Sequence, residues 1–374
     1  MEHRFDGPRY TVGIEEELMI VDRSSLELVS AIHAILEGAG PQDDVPGHVQ
    51  PELLQCVLEI ATLPGAGASE AGAALRSLRG SVRDLAGAHG LAIGSAGTHP
   101  FALWEEQRIV RDDRYRGIVS SLGLVARQEL VFGMHVHVGM GGPEETIHVA
   151  NNLRPYVPLL IALSANSPLW RGEPTGLMSS RVPIFRAFPR VGLPPRFASW
   201  ADFSARVEFL MRGGIIEDYT YLWYDVRPHP RLGTIEVRAM DSQTRVAHTV
   251  SLAALIVSLV KLLREQHAAG SPPADQQWEL LDENRWLAAR HGLDAELLDQ
   301  ATGMRRAVRE LTEEMLAALA PHARELGCTE ELAGIEDLLR AGNGALRQQM
   351  VFEANRDLHE LMGEIVERTA AQDG

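Results

Sequence analysis

Four separate stretches of this chain alternate apolar side chains with carboxylates, imidazoles or guanidiniums, and this repetition constrains the fold more than any other feature. Successive side chains on a strand point to opposite faces. In Thr11–Asp22, Gly13, Glu15 and Glu17 share one face, while Ile14 and Leu18 share the other with Glu16. In Leu54–Ala61, Leu58 and Ile60 stand opposite Val57 and Glu59. In Gln128–Met140, His135 and His137 stand opposite Val136 and Val138. Around Thr234–Arg238, Thr234, Glu236 and Arg238 stand opposite Ile235 and Val237. One antiparallel sheet, apolar on one side and chemically loaded on the other, accommodates all four.

Taken singly, each segment has a plainer description: an edge strand with solvated glutamates, or a strand with a structural histidine. Taken together they bring carboxylates onto one face, where they repel unless something positive lies between them. Divalent cations are the simplest answer, and a mostly carboxylate ligand set favours Mg²⁺ or Mn²⁺ over zinc. An acidic, metal-binding face with Arg238 at hand is what phosphoryl transfer requires, because metals neutralise a triphosphate and a guanidinium stabilises charge on the transferred group.

Composition removes several other functions. A net charge of −16 argues against nucleic acid or an anionic membrane as the main partner. Lys261 is the only lysine and sits in no Gly-x-x-x-x-Gly-Lys context, which disfavours both a P-loop and Schiff-base chemistry. Two cysteines, Cys56 and Cys328, make no disulfide framework. With no basic-then-apolar pattern over Met1–Asp6, a cytoplasmic protein is expected.

In chain order, the residues predict a turn and second strand over Asp22–Leu28 and a loop over Asp43–Gly47. A helix follows over Ser69–His89, with Ser69 as N-cap and Gly90 as its stop, and then a strand from Leu91 to Gly97. His99 reads as a loop residue and Arg108–Arg116 as a solvated segment. Glu144–Leu163 reads as helix, kinked or ended at Pro155 and Pro158. Met178–Pro195 is a long loop whose arginines suit carboxylate or phosphate recognition, and a short helix covers Phe203–Met211. Asp218–Thr244 reads as a hairpin around Pro228–Gly233. From Val246 onward only helices are expected, over residues 250–263, 276–290, 295–319, 329–339 (with Thr329 as N-cap) and 346–368. The apolar run Val250–Leu263 is too short to span a bilayer and reads as a buried helix. The expected architecture is α+β, in a single catalytic domain over 1–374. Residues 1–245 would carry the sheet and active site, and 246–374 the helices.

These residues also carry a resemblance. Gly13-Ile14-Glu15-Glu16-Glu17, the pair Glu52 and Glu59, Gly133-Met134-His135-Val136-His137-Val138-Gly139 and the run from Tyr219 to Arg238 resemble the YbdK-type carboxylate–amine ligases, also called glutamate–cysteine ligase type 2. The likeness runs nearly the full chain, in order, and includes Asn284–Leu293 and Gly342–Ala345. It implies a fold like the catalytic domains of glutamine synthetase and guanidino kinases: a curved antiparallel sheet with helices on one face. It implies ATP-dependent formation of a γ-glutamyl amide, with cysteine as acceptor, and a homodimer. By the same resemblance Glu15, Glu17, Glu52, Glu59, His135 and Glu236 would bind Mg²⁺, and Arg238 would contact the γ-phosphate. Glu59, Glu236 and Arg238 would form the catalytic set. Glu52 enters from the resemblance alone. His137 matches the motif without a defined role, and Arg181 or Arg227 would hold a substrate carboxylate. The partners would be small amino-acid and amine substrates. Three alternatives remain open at this point: a zinc hydrolase of the His-x-His type, a ligase for a different carboxylate and amine, and a non-catalytic metabolite-binding module.

Overall fold

The computed structural model describes residues 1–39 and 46–371. Its centre is a seven-stranded sheet made of β1 (Val12–Asp22), β2 (Gly47–Pro51), β3 (Val57–Thr62), β4 (Leu91–Gly94), β5 (Gly133–Gly139), β6 (Val226–His229) and β7 (Thr234–Asp241). The strand order is β2-β3-β1-β5-β7-β6, with β4 pairing the far end of β1, and every pairing is antiparallel.

Register places the chemistry. Glu15 stands opposite His135, Glu17 opposite Glu59, and His137 opposite Glu236, which in turn faces Arg227. The β5–β7 register shifts between Met134 and Val136, which pair with Met240 and Val237. Arg238 and Ala239 therefore stand opposite the single residue His135. Such an extra residue bends a strand and re-aims its side chains. Here it brings Arg238 Nη1 to 3.4 Å from His135 Nδ1.

The apolar face lies on helices Ala68–Ala88, Pro143–Leu153, Val157–Ser164 and Val246–Ala268. Ile14, Leu18, Leu58, Ile60, Val136, Val138, Ile235 and Val237 are buried in that layer. The last of these helices is 23 residues long, so it exceeds the expected Val250–Leu263, and by length and composition it is long enough to cross a membrane. Most of it is buried inside the fold, as the core-helix reading requires.

Several local expectations are corrected. After β1 the chain makes only a single bridge, between Val21 and Leu28, and then forms a helix over Ile32–Ala39. The loop expected over Asp43–Gly47 lies largely outside the described residues, and Gly47 already begins β2, a strand too short and polar to stand out in the sequence. Helix Ala68–Ala88 is capped by Gly67 rather than Ser69, and Thr329 is preceded by Cys328 at its cap. The Met178–Pro195 loop contains one helical stretch, Arg181–Phe185. Tyr219–Tyr221 is a 3₁₀ turn rather than strand. The C-terminal part is not purely helical: Glu296–Leu298 and Arg305–Ala307 pair as a small hairpin before helix Val308–Leu326. The final helix is split at Arg356, whose φ is 56°, with Asp357 capping the segment Leu358–Ala370.

Candidate active site

The loaded face of the sheet floors a cleft of about 510 Å³. Glu15 and Glu17 reach it from β1, Glu59 from β3, His135 and His137 from β5, Arg227 from β6, and Glu236 and Arg238 from β7. Glu52 joins from just beyond the end of β2, and Arg181 from the short helix Arg181–Phe185. Every residue assigned from the sequence to the metal, catalytic or substrate-binding set thus lines one cavity, whereas Arg186 and Arg190 of the Met178–Pro195 loop lie outside its lining. Glu52 was invisible to strand alternation because it lies on no strand.

Within the cleft the acidic groups sort into two triads. Potential ligand atoms of Glu15, His135 and Glu236 all lie within 4.8 Å of one another, and so do those of Glu17, Glu52 and Glu59. In the first triad His135 Nδ1 is 3.0 Å from Glu15 Oε2. His137 Nε2 lies 3.2 Å from Glu15 Oε1 and 3.7 Å from Glu236 Oε1, while its Nδ1 is 2.9 Å from Thr234 Oγ1. Arg227 Nε and Nη2 donate to the two oxygens of Glu236 at 2.8 and 3.1 Å. Arg227 Nη1 donates to the carbonyls of Thr220 and Leu222. Arg238 Nη1 also donates to Glu236. In the second triad Glu59 accepts from Gln50 Nε2, Glu52 from the Leu53 amide, and Glu17 from the Gly133 amide.

The two triads differ in charge. Burial alone would raise Glu15, but His137 and His135 hold its carboxyl well below the usual range. Burial likewise opposes Glu236, and Arg227 with Arg238 overcomes it. In the second triad Arg181 and Arg238 act on Glu17 but do not overcome burial and the neighbouring carboxylates. Burial and then Glu52 push Glu17 up to about 7, and burial with Glu15, Glu52 and Glu17 raises Glu59 well above an ordinary glutamate. Burial lowers His135 to about 4, helped by Arg238. Burial would lower His137 too, but Glu15 and Glu236 raise it. Five carboxylates and one imidazole form a hard donor set, and the crowded second triad calls for a counter-charge.

Further cleft residues were not foreseen as site residues. Arg114, from the segment expected to be solvated, lines the cleft and donates to Thr220 Oγ1 at 3.1 Å. His229 lines it from the end of β6 and Arg231 from the turn that follows. Glu129 lines it as well, and its signal was present: within the strand expected over Gln128–Met140 it shares a parity with Val131, His135 and His137, although β5 itself begins only at Gly133. His99, expected in a loop, is buried, with Nε2 2.9 Å from the Leu26 carbonyl, and lies outside the cleft lining.

Comparison with known proteins gives the family and the fold. The family described as glutamate-cysteine ligase family 2 matches residues 11–368. A Rubrobacter xylanophilus protein provisionally named glutamate–cysteine ligase 2-1 is 43% identical over 369 residues, covering 99% of this chain and 97% of the relative. A Sorangium cellulosum protein provisionally named glutamate–cysteine ligase 2 is 38% identical over 370 residues, covering 99% and 98%. Among solved structures, the glutamate–cysteine ligase of Francisella tularensis in complex with AMP superposes with a TM-score of 0.72 at 12% identity, over 99% of this chain and 89% of that one. A bifunctional glutathione synthetase from Pasteurella multocida gives 0.66 at 16% identity, over 97% of this chain and 51% of that one. The structural likenesses establish the fold, an α+β architecture shared with glutamate–cysteine ligases. With a match along almost its whole length and a 43% identical relative, the chain belongs to glutamate-cysteine ligase family 2.

Proposed function

We propose that this protein is an ATP-dependent carboxylate–amine ligase that joins the side-chain carboxylate of glutamate to the amine of cysteine and releases ADP. The observation that carries the reading is the meeting of two acidic triads and the Arg238 guanidinium in one cleft. A carboxylate is a poor electrophile because oxide is not a viable leaving group. Transfer of the γ-phosphoryl group of ATP gives an acyl phosphate, and the amine then displaces phosphate.

Glu15, His135 and Glu236 would hold one Mg²⁺ (or Mn²⁺), and Glu17, Glu52 and Glu59 another. Bound there, the cations would supply neutralising charge for the triphosphate. Arg238, held by Glu236, faces the cleft where the γ-phosphoryl group would sit. Arg181 is the better candidate for a substrate carboxylate, because its Nε has no partner. Arg227 was the other candidate, but its Nε, Nη1 and Nη2 are already engaged, so its role here is to orient Glu236.

No protein nucleophile is required. Lys261 is paired with Glu265 and Glu325, and Cys56 is buried with its thiol pushed up to about 12. A zinc hydrolase built on His135 and His137 is less well supported, because only His135 of the two belongs to a ligand cluster, and carboxylates complete it.

The test is a screen of carboxylates against amines with ATP and Mg²⁺, reading ADP release and weighing the products. Glutamate with cysteine should release ADP and form the amide. Absence of ADP with every pair would overturn the ligase reading; ADP with a different pair would keep the chemistry and change the substrate.

A further inference from the structure

Glu129 is a cleft carboxylate that the proposed chemistry leaves without a role. It is half-buried, lines the cavity, and belongs to neither acidic triad. Among the described residues it makes no hydrogen bond and no ion pair. Burial, with Glu17 and Glu52 beside it, raises its carboxyl well above an ordinary glutamate, against the pull of Arg181 and Arg238.

Arg181 is its complement. The guanidinium is only 3% exposed, and it is fixed rather than free. Nη2 donates to the Arg238 carbonyl at 3.3 Å, the group packs over the Phe185 ring at 5.5 Å, and a Cβ at Gly133 would come within 2.3 Å of Nη2. Only a glycine on β5 lets it sit there. Its Nε is buried without a partner. Asp241, which also acts on Arg181, gives its oxygens to Ser167 Oγ, Ser179 Oγ and the Asn166 amide.

A carboxyl and a guanidinium thus line one cavity, and among the described residues no hydrogen bond or ion pair joins them. A buried guanidinium left without a bonded carboxylate is costly, and direct pairing would relieve it. Keeping them apart makes sense when a ligand bridges the gap with an anion for Arg181 and a cation for Glu129. The α-carbon of a free amino acid carries that pair of groups on one atom. We infer that Arg181 and Glu129 clamp the α-carboxylate and α-ammonium of a free α-amino acid. Resting on the ligase reading, the clamped molecule is the carboxylate donor: both main-chain groups are held, and only the side-chain carboxylate remains to meet Arg238. Donors blocked at the α-amine are then excluded.

The test is calorimetric titration of the purified protein in Mg²⁺ with three amino diacids, L-aspartate, L-glutamate and L-2-aminoadipate. Each is compared with its deaminated partner: succinate, glutarate or adipate. A charge-assisted hydrogen bond predicts that at least one amino form binds about tenfold or more tighter than its partner. Glu129→Gln should erase that preference while leaving the deaminated acid bound as before. Arg181→Gln should weaken both forms of the pair. Thermal melts confirm that each variant is folded. The inference is overturned if no amino form is preferred, or if folded Glu129→Gln keeps the preference. The ligase reading fails separately, through absent ADP release, whatever these titrations give.

Discussion

Arg79 Nε lies 2.7 Å from Glu16 Oε2, and both side chains are buried beneath the sheet, on the face opposite Glu15 and Glu17. Arg79 also donates to the carbonyls of Gln243 and Thr244, and Thr249 Oγ1 donates to Glu16 at 2.6 Å. One glutamate of the Glu15–Glu17 run thus clamps helices Ala68–Ala88 and Val246–Ala268 to β1, while its neighbours face the cleft. Removing one partner of a buried pair strands the other charge, at about 3–5 kcal/mol. We predict that Glu16→Gln loses about that much stability in urea unfolding, while the folded fraction keeps its turnover. The double variant Glu16→Leu/Arg79→Met should recover most of the loss. Unchanged unfolding of Glu16→Gln would show that the pair is not a structural clamp.

Arg227 holds Glu236 with two parallel bonds and closes its remaining donors on two backbone carbonyls. Lysine is a point donor and cannot reproduce that fork. Arg227→Lys should therefore lower turnover by roughly 10–100-fold through a misplaced Glu236. The affinity for Mg²⁺ should fall with it, while a far-ultraviolet spectrum stays native. Full turnover in the folded variant would remove Arg227 from the site's support.

The sheet and most of the cleft were legible because strand alternation reports which side chains share a face. Glu15, Glu17, Glu59, His135, His137, Glu236 and Arg238 all came from that rule, and all line one cavity. Residues presented by irregular backbone escaped it. Glu52 follows the end of β2, Arg114 sits near the start of a surface helix, and Arg181 begins a five-residue helix. Glu16 shows a second limit. Alternation put it on the apolar face, but its partner Arg79 is 63 residues away on a helix, a contact no local pattern encodes. The bulge that brings Arg238 to His135 was equally hidden, since it depends on how two strands pair rather than on either strand alone.

Glu17 gives a pH prediction for the protein stripped of metal. Burial and Glu52 raise it from 4.5 to about 7, so folding favours its protonated form. Its contribution to stability is complete below about pH 4.5 and is lost as pH rises through about 7. At about 1.4 kcal/mol per unit, this amounts to roughly 3 kcal/mol. Urea unfolding in EDTA at about pH 5 and about pH 8 should show wild type losing that much relative to Glu17→Gln, a comparison that cancels the pH dependence of the histidines, where His135 is lowered and His137 raised. A constant difference between the two proteins across that range would contradict the crowded-carboxylate account.

Glu59 separates repulsion from metal binding. It is 4% exposed, held by Gln50, and raised by burial and by Glu15, Glu52 and Glu17. Without metal, Glu59→Gln removes one of the repelling charges and keeps the shape, so it should melt higher than wild type in EDTA. With metal the order should reverse. A ligand at a hundred times its dissociation constant stabilises the state that binds it by about 2.7 kcal/mol. Wild type should gain a shift of that order from saturating Mg²⁺, and Glu59→Gln should gain much less and lose Mg²⁺-dependent ADP release. Differential scanning calorimetry with and without Mg²⁺ reads both signs in one experiment. If Glu59→Gln is destabilised in EDTA and still shifts fully with Mg²⁺, the Glu17–Glu52–Glu59 triad is not the cation site, because repulsion and ligation on that carboxylate must be lost together.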